Sequence, residues 1–275
     1  MSTEFIAKIG KNFIDSTRGN QTTEEVLILA KRMVFCAKQS GATVVKFQTH
    51  VVEDEIKKRK GIRFDWISLN EKLTPTNFWF EIATYCDGLG IEFLTTPMSK
   101  LAAQKIDVFV KRWKVSSADI VDFELLEFLR STGKPVIIST GMSTPEQIEK
   151  CVEFLGNQIQ YINYCVSIYP CPIYVIDFRK MLALKEKSHI ARKPLDVGFS
   201  DHSLSVEVPA LAVRMGAVAI EKHFTLDRNA FGPDHKASLL PEEFKKMVEL
   251  CKLAETEGES FEEEKVYCET YRKKI

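Results

Sequence analysis

The chain has 275 residues, 45% of them hydrophobic, and its 38 Lys and Arg balance 38 Asp and Glu. That length fits one large domain with a full core, and a net charge of zero excludes a nucleic acid or a membrane surface recognised by bulk charge. No apolar run nears the ~20 residues of a membrane span, and the N-terminus lacks the basic and apolar regions of a signal peptide. The seven cysteines are scattered with no C-x-x-C pair, which suits reduced thiols in a cytoplasm.

Phe5 to Gly10 reads as a first strand. Thr22-Thr23-Glu24-Glu25 opens a helix with a cap-like start, apolar residues continue to Ala37, and Gly41 stands just past its end. Ala42 to Gln48 is a buried second strand with Lys46 and Gln48 on one face. A polar insertion runs from His50 to about Thr74; its basic tract, Lys57 to Lys60, reads as a solvated face. Pro75 to Leu89 is helical, Gly90 breaks it, and Ile91 to Pro97 is a third strand. A short helix near Leu101 precedes a fourth strand, Arg112 to Ser117. Asp122 to Arg130 is helical, Pro135 to Thr140 is the fifth strand, and Ser143-Thr144-Pro145-Glu146 starts another helix with proline in its first turn. Gln160 to Ser167 is the sixth strand, with Asn163, Cys165 and Ser167 on one face, and two prolines stiffen its loop, Ile168 to Pro172. After a helix over Asp177 to Lys187 come strands seven, ending at His202, and eight, ending at His223. The apolar run Val206 to Ala217 joins them, and Pro241 opens a last helix that ends near Ala254. Alternation of this kind implies a parallel sheet, and eight units in a chain of this length imply a closed (β/α)8 TIM barrel. The rival, an open doubly wound sheet, lacks a Gly-x-Gly-x-x-Gly after the first strand. The expected organisation is one barrel over residues 1–255 and a charged tail, residues 256–275, with no second domain.

Side chains two apart on a strand share a face. Ser200 and His202 therefore point one way over Gly198, and Glu221 and His223 point together over Ala217 and Ala219. At the C-terminal ends of adjacent parallel strands, where such barrels keep their chemistry, they would present two imidazoles, a carboxylate and a hydroxyl. The residues closing the other strands are Lys8, Lys46, Gln48, Thr96, Lys114, Ser117, Thr140 and Ser167. Lysine is almost never buried without a partner. Lys8, Lys46 and Lys114 around one mouth therefore suggest a bound polyanion, such as a phosphate with a carboxylate, with hydroxyls of Thr96, Ser117 and Ser200 in support. The plainer reading has these lysines snorkelling to solvent or pairing with Glu92, Asp119 and Glu221. His202 and His223 could both reach one divalent metal. Four ligands for a closed zinc site are not in view, so an open site fits better than that; structural histidines are the alternative. Cys165 and Cys171, which no base accompanies by spacing, read as packing residues.

Val45-Lys-Phe-Gln48, Thr95-Thr-Pro97, Ile138-Ser-Thr-Gly-Met142, Ile168-Tyr-Pro170, Gly198-Phe-Ser-Asp-His-Ser203, Ile220-Glu-Lys-His-Phe-Thr-Leu-Asp-Arg228 and Gly232-Pro-Asp-His235 resemble, in this order, the signatures of the sialic acid synthase family. The resemblance covers nearly the whole chain. It implies a (β/α)8 barrel that condenses phosphoenolpyruvate with an open-chain N-acetylated amino sugar, such as N-acetylmannosamine, giving a nonulosonic (sialic-type) acid and phosphate. It also implies a divalent metal, manganese first, with magnesium or cobalt as alternatives. By the same resemblance His202 and His223 hold the metal, and Lys46, Thr96, Lys114, Ser117 and Ser200 hold phosphoenolpyruvate. Gln48, Tyr169 and Asp234 face the sugar, and Glu221 orients metal-bound water or moves a proton.

The sequence departs from the family at three places. Where the family reads Glu-Ile-Gly-x-Asn-His, with the glutamate thought catalytic, this chain reads Lys8-Ile-Gly-Lys-Asn-Phe13, so a base becomes a cation at a catalytic position. Ser167 takes the place of a substrate-side asparagine. The family's C-terminal antifreeze-like domain would begin about where Ile275 ends the chain; a homodimer, completed by a separate antifreeze-like subunit, is the expected assembly. Two other readings stand beside a synthase: a non-catalytic relative that binds phosphorylated ligands, and a Schiff-base lyase using Lys8 or Lys46.

Overall fold

The computed structural model describes residues 2–15, 17–18, 20–58, 64–186 and 195–256. Eight strands, β1 (Glu4–Gly10), β2 (Val44–Thr49), β3 (Glu92–Pro97), β4 (Trp113–Val115), β5 (Val136–Ser139), β6 (Ile159–Cys165), β7 (Asp196–Asp201) and β8 (Ala219–His223), alternate with helices. Every ladder is parallel, in the order β3-β2-β1-β8-β7-β6-β5-β4. β3 and β4, at the two ends of that order, lie against each other without a ladder among the described residues. The sheet is thus rolled into the expected TIM barrel with one seam.

Helices α1 (Thr23–Gln39), α4 (Thr76–Leu89), α5 (Lys100–Ile106), α6 (Phe123–Ser131), α7 (Pro145–Leu155), α8 (Phe178–Glu186), α9 (Val208–Arg214) and α10 (Pro241–Thr256) surround the strands. The local signals explain several of their ends. Thr22 and Glu25 form a reciprocal capping box at the start of α1, and Thr144 and Gln147 form another before Pro145 in α7; each satisfies backbone N–H groups that the first turn leaves over. The expected polar insertion instead folds as α2 (Val52–Lys58) and α3 (Phe64–Leu73). Its polarity is partly spent inside: the buried Glu55 carboxylate meets His50 Nδ1 at 3.0 Å, and Asp54 Oδ2 accepts the Leu101 N–H at 3.1 Å. In the basic tract Lys57 is solvated, as expected, while Lys58 Nζ lies 2.9 Å from Asp122. Arg59 and Lys60, Lys187 at the end of the helix expected from Asp177, and residues 257–275 of the expected tail lie outside the described residues.

The outward faces of the strands pack against the helices in one large core. Phe13 belongs to it, completely buried, stacked on Phe78 and edge-on to Phe47, both with ring centroids 5.5 Å away. This departure from the family pattern is therefore a packing residue, turned away from the mouth. Inside the barrel the side chains form layers. Ile6, Val44, Leu94, Ile137, Tyr161 and Ala219 make an apolar middle. Beneath them Arg112, just before β4, bonds Glu92 Oε1 at 2.7 Å, Gln160 at 3.1 Å and Glu4, while the Tyr161 hydroxyl donates to Glu4 at 2.7 Å. Glu92 is thereby committed to the floor and is not a partner of the mouth lysines.

Candidate active site

Two or four positions on from the apolar layer, β1, β2, β3 and β8 place polar side chains at the mouth. Lys8 follows Ile6, Lys46 and Gln48 follow Val44, Thr96 follows Leu94, and Glu221 and His223 follow Ala219. Parity read from the sequence thus holds for these strands, and for Ser200 on β7, which pairs with Glu221 in the β7–β8 register. On β5 it is Ser139, two on from Ile137, that faces the interior; the Thr140 hydroxyl is turned aside and donates to the Asn163 carbonyl at 3.2 Å. One residue of offset changes the face, which is how counting back from the strand end selects Thr140. Asn163, two on from Tyr161, was legible by the same alternation, yet its part in the mouth was not assigned. Gly198 gives it room: a Cβ there would stand 2.2 Å from Asn163 Oδ1.

Three lysines converge on one buried carboxylate. Lys46 Nζ is 2.5 Å from Glu221 Oε1, which also accepts from Ser200 Oγ at 3.0 Å. Burial pushes the Glu221 carboxyl up, but Lys46, Lys114 and Lys8 together overcome this and hold it well below the usual carboxylate range. Glu221 is therefore ionised and anchors Lys46. Burial also pushes the Lys46 ammonium down, against the pull of Glu221. Lys114 is equally buried, and its hydrogen-bond partners, Ser139 Oγ at 2.6 Å and Val115 O at 2.9 Å, are both neutral. Asp119 accepts instead from Ser116 Oγ. The paired reading of the lysines thus holds as a direct ion pair at Lys46.

The hydroxyls of Ser117 and Ser167 stand 3.5 Å apart, and the Gly141 N–H donates to Cys165 Sγ at 3.1 Å. On the opposite side, a Cβ on Gly10 (φ 59°) would lie 3.3 Å from Asp234 Oδ2 and 3.7 Å from Gln48 Oε1, so these two expected sugar-facing residues meet at the end of β1. Tyr169 packs on His202, with ring centroids 4.1 Å apart and the planes tilted by 38°. Gln48 Oε1, both amide atoms of Asn163, Glu221 Oε2 and His223 Nδ1 are buried without a hydrogen-bond partner. Native interiors rarely leave such atoms unmet, and five at one opening mark where a polar ligand belongs. Cys171 is buried and its N–H donates to the His202 carbonyl at 2.8 Å.

His202 and His223 come together, ring centroids 5.5 Å apart. Burial and then Lys8 push His202 down to about 4 and His223 well down as well, so both rings are neutral. His202 Nδ1 faces the Val166 carbonyl at 2.7 Å and so carries the proton. His223 Nε2, however, is 2.8 Å from Lys8 Nζ, and its lone pair is taken by that ammonium. A divalent ion within ~4 Å of Lys8 would meet repulsion on the order of 8 kcal/mol at an effective dielectric of ~20. Asp234 Oδ2 is 3.9 Å from the other nitrogen of His223, and no group of three or more His, Cys, Asp or Glu donors occurs among the described residues. This donor set does not fit a divalent metal held by His202 and His223.

A sunken cationic opening at the C-terminal end of a parallel barrel is where enzymes of this architecture work, and the chain is an α/β-barrel enzyme by that measure. Comparison with known proteins narrows this: the chain belongs to the NeuB family, whose profile matches residues 33–262. An uncharacterised protein of Methanocaldococcus jannaschii is 38% identical over 234 residues, 82% of this chain and 66% of that protein. The N,N'-diacetyllegionaminic acid synthase of Legionella pneumophila is 33% identical over 251 residues, 84% of this chain and 68% of the synthase. The chain therefore spans about two thirds of the length of these relatives. A solved structure of the N-acetylneuraminic acid (sialic acid) synthetase of Leptospira borgpetersenii, in complex with citrate, superposes with a TM-score of 0.78 at 26% identity, over 100% of this chain and 93% of that one.

Proposed function

We propose that this chain condenses phosphoenolpyruvate with the open-chain aldehyde of an N-acetylated amino sugar, forming a nonulosonic acid and releasing phosphate. The names of the Legionella and Leptospira relatives support the product class. The observation that carries the anionic half is Lys114, a buried ammonium with only neutral hydrogen-bond partners; such a charge calls for an anion. Lys114 and Lys46 hold the phosphate and carboxylate, with Thr96, Ser117, Ser167 and Ser200 as hydroxyl donors. Gln48, Asp234 and Tyr169 face the sugar. Glu221, through its unpartnered Oε2, orients the water that is consumed. C3 of phosphoenolpyruvate bonds to the aldehyde carbon as the carbonyl pair moves onto oxygen. Water adds at C2, and the C2–O bond to phosphate breaks as C2 becomes a ketone. One water proton goes to the new hydroxyl and the other leaves with phosphate, so atoms and charges balance.

A reducing cytoplasm accords with the described cysteines, all unbridged, and no helix among the described residues is long and apolar enough to cross a membrane. Exposed Met142, Ile168, Tyr174 and Phe231 support a homodimer that covers these side chains. A phosphate-release assay across N-acetylmannosamine, its 6-phosphate and diacetamido sugars tests the reaction. Release is expected only when phosphoenolpyruvate and one of these sugars are both present. Phosphoenolpyruvate binding without release on any sugar would replace this reading with that of a non-catalytic relative.

A further inference from the structure

We propose that the Lys8 ammonium is the resident cation of this barrel. It occupies the place between the imidazole of His223 and the ring of Tyr169, next to His202, so that the condensation proceeds without a divalent metal. The β1–β8 register sets Lys8 directly beside His223, with both side chains pointing inward. Nζ lies 2.8 Å from Nε2 and 5.7 Å from the centroid of the Tyr169 ring, within cation–π range. An ammonium has donors only, so Nε2 must be the acceptor and Nδ1 carries the ring proton. His202 turns its protonated Nδ1 to the Val166 carbonyl, which leaves its other nitrogen as an acceptor as well.

The three lysines divide the work. Lys46 and Lys114 are fully buried and engaged deep in the mouth, by Glu221 and by Ser139. Lys8 is half-buried, at the level where a ligand enters, and one of its three N–H donors is used by His223. The others are free to meet the aldehyde oxygen. As the C3–carbon bond forms, negative charge gathers on that oxygen, and a fixed cationic donor stabilises charge that develops in the transition state. The step asks no proton of Lys8, because the water consumed supplies the proton of the new hydroxyl. The catalytic part rests on the proposed condensation; the metal-exclusion part stands on the geometry alone.

Electron paramagnetic resonance of Mn(II), titrated into the whole chain, reads the second part without any turnover. Wild type is expected to leave the six-line signal of free Mn(II) unchanged at one equivalent. Lys8→Met and Lys8→Gln, each checked for native circular dichroism, are expected to take up one ion per chain, and adding His223→Ala is expected to abolish that uptake. One Mn(II) bound per wild-type chain and lost in His223→Ala would overturn the proposal, and this arm needs no Lys8 variant to fold. So would folded Lys8 variants that acquire no site. In the phosphate-release assay, wild type is expected to keep its rate after chelation, and Lys8→Met to fall at least 100-fold and recover with Mn(II). A wild-type rate abolished by chelator and restored by Mn(II) would also overturn it. If no sugar supports release, the condensation fails and the Mn(II) titration still decides what Lys8 does.

Discussion

Lys114 costs the empty barrel a desolvated charge, which two neutral hydrogen bonds and the field of Glu221, itself engaged by Lys46, offset only in part. A ligand anion would supply what the protein withholds. Replacing a buried ammonium that makes no direct ion pair by an apolar side chain of similar volume removes its desolvation cost. Lys114→Met is therefore expected to leave the melting temperature of the free protein unchanged or raised. The same substitution is expected to remove the stabilisation by phosphoenolpyruvate, which in wild type amounts to ~2.7 kcal/mol at a concentration of 100 Kd. Differential scanning fluorimetry with and without the ligand checks both halves; a free protein that melts well below wild type would show Lys114 to be structural. Glu221 is the opposite case, since its charge is met on the spot by Lys46 at 2.5 Å.

Strands rather than loops fix most of the mouth. Alternation along β1, β2, β3, β7 and β8 made Lys8, Lys46, Thr96, Ser200, Glu221 and His223 legible as one inward-facing set, because on a strand the position alone decides the face. What alternation could not supply was the contact partner. Whether Lys8 meets solvent, a carboxylate or an imidazole depends on β8, more than two hundred residues away in the chain. Short β5 gave too few residues to fix the register, hence Thr140 in place of Ser139. The helices of the insertion were illegible for another reason: Asp54 and Glu55 look solvent-facing in sequence, and only their tertiary partners explain why they are inside. On β7 the constraint is steric. Gly198→Ala would press a methyl against Asn163 Oδ1, 2.2 Å away, and the Ala219 carbonyl, 3.1 Å away. It is expected to cost ~1–3 kcal/mol, as overpacking does, and to weaken phosphoenolpyruvate binding. The double variant Gly198→Ala/Asn163→Ala is expected to recover most of the stability but not the binding, as measured by urea unfolding and by calorimetry.

At the scale of the molecule, closure of the sheet depends on the floor as much as on ladders. β3 and β4 share no ladder among the described residues, yet Arg112 bonds Glu92 at the foot of β3, Glu4 on β1 and Gln160 on β6. Breaking a fully buried ion pair costs ~3–5 kcal/mol. Because Glu4 and Glu92 are partly solvated, Arg112→Met is expected to cost less, ~2–3 kcal/mol. Hydrogen exchange is expected to locate the loss at β3 and β4, with the β1–β2 and β7–β8 amides protected as in wild type; uniform loss of protection would contradict this. The cylinder is then a scroll whose free edges are held by one guanidinium stitch. Pulled or heated, it should first unroll along that hem into a still-laddered ribbon rather than lose its staves one by one, and added salt should loosen the stitch before it touches the rest.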